Sequence, residues 1–196
     1  MTKGETELSL RRVEEALSVI KLYSPLQYMR VIGNLDRVWV SLELSSLGCF
    51  RRSLNACVLD ERYVLAAATT PEMLAKTIIH EATHARLDHC GIYYDDEKKR
   101  VRIEAVCMRR ELAFAAKLPQ GAPLQEEVER TMEWCAANPE YFSNASFHQR
   151  DNEGRIEALR YLGLPEWLIQ GGMKIRAAIS AMRVVVHRLA RPFRQA

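Results

Sequence analysis

Two imidazoles four residues apart flank a carboxylate in the pentapeptide His80-Glu81-Ala82-Thr83-His84. On an α-helix, residues i and i+4 stand one above the other. Both rings can then reach a single zinc ion at about 2.0–2.1 Å from each nitrogen. Glu81, one step round the helix, is too far aside to complete the ligand set. It is placed to take a proton from a metal-activated water and pass it to a leaving amine. The pattern reads as a metallopeptidase site; the bland alternative is an ordinary amphipathic helix that happens to carry these residues. The flanking residues support the helix. Thr70-Pro71 is a start signal, Glu72 suits the first turn, and Met73, Leu74, Ile78, Ile79, Ala82 and Ala85 supply apolar surface.

A hydrolytic zinc site uses three protein ligands and keeps one position for water. A third histidine shortly after the motif, reached through a glycine turn, is disfavoured. Leu87 and Cys90 stand where that arrangement needs Gly and His, and His89 is out of step. A carboxylate on the following helix is the other route, and Glu104 lies twenty residues beyond His84. Here the chain resembles the gluzincins, the thermolysin-like zinc peptidases, whose glutamate ligand follows at a similar distance on a second helix. The resemblance covers about residues 55–117. It implies a small zincin-like α+β domain, an antiparallel sheet packed on the motif helix, and zinc held by His80, His84 and Glu104.

The second helix is expected to be capped by Asp95 or Asp96 and to run to about Lys117, with Glu104, Met108, Glu111 and Ala115 on one stripe. An acid on a packed stripe needs a partner, either a metal or one of Arg100, Arg102, Arg109 and Arg110. Glu111 is the reserve ligand. Thermolysin-like enzymes often carry an aspartate four residues after the glutamate ligand, and this chain has Met108 there. Asp88 or a backbone carbonyl is left to orient an imidazole. For the oxyanion donor the candidates are Tyr94, with Tyr93 beside it, and His148 or Tyr141 in a later loop.

These residues need elements to position them. Val38, Val40, Leu42 and Leu44 alternate with Trp39, Ser41 and Glu43, which predicts a strand. Residues 55–59 and 62–68, separated by Asp60-Glu61, read as a hairpin. In the zincins a strand of this sheet borders the cleft, so the later run is expected as an edge that captures extended peptide. Helices are expected over residues 123–136 and 153–162, with a loop over 138–151 between them. The mostly helical C-terminal half would wall the cleft.

The 196 residues, 48% hydrophobic and without a long spacer, fit one domain over about 1–170. Leu8, Leu10, Val13, Leu17 and Ile20 make a helical pattern at the N-terminus, not a secretory signal. Five cysteines without a Cys-x-x-Cys pair suit a reducing compartment, so a cytoplasmic location is expected. Residues 171–196 form a separate basic amphipathic segment. No acid follows Gly172, while Lys174, Arg176, Arg183, Arg188, Arg191 and Arg194 are basic in a chain of net charge +3. Such a tail can dock on an acidic partner or lie peripherally on an anionic membrane surface, with only a weak nucleic-acid signal. Two functions follow: a zinc peptidase acting on a peptide or protein substrate, or a regulatory module with a structural or vestigial zinc whose tail binds the partner.

Overall fold

The chain is α+β and mostly helical, and the computed structural model describes residues 2–172. The basic segment expected at 171–196 lies, apart from its first two residues, outside the described residues. Helices α1 (Lys3–Tyr23) and α2 (Pro25–Asn34) come first, followed by strands β1 (Arg37–Ser41), β2 (Gly48–Arg51) and β3 (Ala56–Asp60). Then come α3 (Glu61–Leu65), α4 (Pro71–His89), α5 (Glu97–Ala115), α6 (Ala122–Ala137) and α7 (Asn144–Tyr161).

α4 is the spine of the molecule. Thr70 caps it by accepting from the Met73 N–H, and Pro71 opens it, as the sequence suggests. Its buried residues run right round the helix, because α1, α2, α5 and the sheet all pack on it. The main core joins Val13 and Ile20 of α1, Val31 of α2, Leu59 of β3, Leu74 and Ile78 of α4, and Phe114 of α5. Within α1 the buried stripe is Ser9, Val13, Ala16 and Ile20, while Leu10 is exposed. A second cluster, Met108, Val128, Cys135 and Phe142, joins α5 to α6 and the turn after it.

The sheet is mixed, not antiparallel. Its order is β1-β3-β2, with β1 parallel and β2 antiparallel to β3. The expected hairpin is replaced because Asp60 is a helix cap rather than a turn residue. Its carboxylate accepts from the N–H groups of Arg62 and Tyr63 and starts α3, so residues 62–68 make no strand. β1 and β2 are the edge strands, and β2 is one that sequence reading leaves in the connection. Gly48 lets it lie close: a Cβ there would stand 2.7 Å from Thr77 Cγ2 of α4.

α5 begins at the cap Asp96, as expected. α7 begins nine residues before the expected helix at 153, because Ser143 accepts from Ser146 N–H and nucleates it. No helix among the described residues is long and apolar enough to cross a membrane.

Candidate metal site

His80, Glu81 and His84 lie on α4 and Glu104 on α5, and the two helices pack side by side. Residues four apart lie about one helical turn from each other on the same face, and His80 Nε2 and His84 Nε2 stand 3.0 Å apart. Glu104 reaches both across the helix interface. Its Oε2 is 3.2 Å from His80 Nε2 and its Oε1 is 3.5 Å from His84 Nε2. Ligands about 2.0–2.1 Å from one ion in a tetrahedral arrangement stand roughly 3.3 Å from one another. The three separations bracket that value, and two imidazoles with a carboxylate are a chemically suitable zinc donor set.

The carboxylate and the rings tune one another. Burial pushes the Glu104 carboxyl upward, but its contacts with His80 and His84 outweigh this and hold it well below the usual carboxylate range. Burial favours neutral imidazoles, yet His80 is held above its ordinary value by Glu104 and Glu111. For His84, Cys107 and Glu104 overcome burial and raise the ring to about 10. The facing nitrogens stand 3.0 Å apart, and the charge on His80 works against protonation of His84.

Glu111 is not at the reserve-ligand position. It bonds His80 Nδ1, the ring nitrogen facing away from His84, and so fixes which nitrogen is offered to an ion. Lys76 links this carboxylate onward, 4.0 Å from Glu111 and 2.6 Å from Glu127. Asp88 does not orient an imidazole; it pairs with Arg52 Nε at 3.1 Å. Met108 turns into the second cluster.

Sequence reading passes over Cys107, which sits one turn after Glu104 and is fully buried. Ligand atoms of His80, His84 and Cys107 all fall within 4.8 Å of one another. α5 therefore brings two competing donors to the pair.

A cavity of about 360 Å³ opens beside the pair, lined by His80, Glu81, His84, Glu104, Tyr94 and the β2 residues Gly48, Cys49 and Phe50. Glu81 is buried beside Phe50 of β2 on the cavity wall. Burial lifts its carboxyl above the ordinary range against the pull of the two histidines. Tyr94 packs edge-on to His84 with ring centres 5.1 Å apart. Burial and the nearby Glu104 push the Tyr94 phenol upward, so it stays neutral and able to donate at physiological pH. Tyr93 is exposed and stacks under Arg52.

His148 is exposed and does not line the cavity. Because α7 has already begun, residues 147 and 150 share a face while 148 turns about 100° away. The cavity wall therefore receives Phe147 and Arg150, with Tyr141 from the preceding turn. Only the i, i+3 spacing of an aromatic and an arginine could have signalled this, and it required knowing where α7 starts. Comparison with protein-family models, with curated proteins and with solved structures gave no match to this chain.

Proposed function

We propose that this protein is a zinc-dependent peptidase of the gluzincin type, with His80, His84 and Glu104 holding the ion in a zincin-like domain. The observation that carries the reading is the convergence of three donor groups from two helices at 3.0, 3.2 and 3.5 Å beside an open cavity. A bound divalent ion supplies Lewis acidity toward water and a peptide carbonyl. The protein's own groups do the proton work and the positioning. Glu81, buried and kept short of full acidity, accepts the attacking water's proton and returns it to the leaving amine nitrogen. The neutral Tyr94 hydroxyl donates to the carbonyl oxygen as negative charge develops there. β2, an edge strand on the cavity wall, offers backbone groups to an extended substrate. The reading keeps the cytoplasmic location expected from cysteine usage.

The test compares metal content and hydrolysis in purified variants. Glu81→Gln is expected to keep zinc and lose cleavage of a broad peptide library, while His84→Ala loses both. Full zinc stoichiometry in the His84 variant would remove the ligand assignment.

Cys107 favours a second reading. If its thiolate joins the two imidazoles and Glu104, four protein ligands close the tetrahedron and the zinc is structural, as in a regulatory module. Cys107→Ser separates the two. Under the peptidase reading the variant retains zinc; under the structural reading it loses most of it.

A further inference from the structure

Arg150 is the cavity-lining cation of α7; it stacks on Phe147, as Arg100 also does at 4.8 Å, but it spends fewer of its donors than Arg100. Arg51, Arg52 and Arg62 pair with Glu43, Asp88 and Asp60. Arg100 spends its guanidinium on the carbonyls of Tyr94, Asp95 and Phe142 and on Asn144. Arg150 has no carboxylate partner among the described residues. One of its donors, Nη1, reaches the Tyr141 carbonyl oxygen at 2.7 Å. Its flat faces are taken up by rings: Tyr141 lies 3.7 Å and Phe147 4.4 Å from the guanidinium carbon.

That setting fixes the group without neutralising it. Stacking uses the faces of a guanidinium and leaves its edge donors, and a rigid edge is what binds a carboxylate through two parallel hydrogen bonds. A half-buried cation without a counter-charge also favours capture of an anion over capture of a neutral group. Arg150 lines both the cavity beside the histidines and the adjoining groove, whose wall also carries Ser45, Ser46, the Asp60–Arg62 pair and the carboxylates of Glu153 and Glu157. A peptide lying across the histidines can therefore extend to it.

We infer that Arg150 is a specificity-determining residue that binds a carboxylate of an extended peptide, either an acidic side chain or the C-terminal carboxylate. This rests on the peptidase reading for why a peptide lies in the cavity, but its test does not require cleavage. Dye-labelled hexapeptides differing only by Glu versus Gln at each position, and by a free versus amidated C-terminus, are titrated against the full zinc-loaded chain by fluorescence anisotropy. Wild type is expected to bind one acidic member on the order of tenfold tighter than its amide counterpart. In Arg150→Gln that ratio falls to about one, and in Arg150→Lys, which keeps the charge, it stays above one. The position at which the preference appears separates a side-chain carboxylate from the C-terminal one. Equal binding of acid and amide by wild type, no binding by any peptide, or an undiminished preference in Arg150→Gln would overturn the inference. The same peptides are followed by mass spectrometry. An acid preference without any cleavage leaves Arg150 as assigned and removes the peptidase reading instead.

Discussion

Glu104 and Cys107 stand one turn apart on α5, and whether Cys107 joins Glu104 on an ion decides whether that ion has a corner for solvent. Glu104→Gln removes the charged donor and is expected to strip zinc under conditions that leave wild type loaded, read by metal analysis after gel filtration. Glu111→Gln acts through His80: losing the acceptor that fixes the imidazole is expected to weaken zinc binding about 10–100-fold without abolishing it. Zinc competition titration measures this, and unchanged affinity would mean that Glu111 does not orient the ligand. Acid opposes the metal. The pair holds a proton more tightly than a free imidazole does, so an ion must displace it, and zinc affinity should rise from pH 6 to pH 8. The expected slope is up to about tenfold per pH unit for one displaced proton. A flat profile would show that neither ring exchanges a proton for the ion. At this scale the sequence was informative where spacing is local. Two histidines at i and i+4 must meet on any helix, whereas Cys107, Glu111 and Arg150 acquire their partners only from the register between α4 and α5 and from the docking of α7.

Gly154, like Gly48 in β2, sets how closely elements approach the cavity. An added Cβ at Gly154 would stand 1.4 Å from the Leu44 carbonyl oxygen, so Gly154→Ala must push α7 away from the loop that follows β1. The expected cost is about 1–3 kcal/mol, typical of overpacking, with displacement of Arg150 and Phe147 from the cavity. Urea unfolding gives the first quantity, and the lost acid preference of bound peptides reports the second. A variant as stable as wild type would mean that the contact relaxes freely. The helices were legible where side chains cap them, as Thr70 and Asp96 do. The sheet was not. Parallel pairing of β1 with β3 is a long-range choice that alternation along one strand cannot encode, and Asp60 reads as a turn residue until α3 is seen to start on it. α7 escaped because its first turns are polar, so its start at Ser143 has a cap but no apolar stripe to announce it.

The whole molecule is built around α4, and the proposed ion joins this spine to α5 at the edge of the main core. A ligand that binds only the folded state stabilises it, by about 2.7 kcal/mol at a hundredfold excess over its dissociation constant. For a chain of this size that corresponds to a rise in Tm of about 5–10 °C on zinc addition, reversed by a chelator. Differential scanning calorimetry measures it, and an unchanged Tm would mean that the helices are joined without a metal. The most direct measurement is X-ray absorption at the zinc edge of the purified, zinc-loaded protein. The expected result is a first shell of nitrogen and oxygen alone at about 2.0–2.1 Å, with the outer-shell features of two imidazoles. A sulfur scatterer at about 2.3 Å, or no zinc retained, would contradict an ion held by His80, His84 and Glu104 with a position left for water.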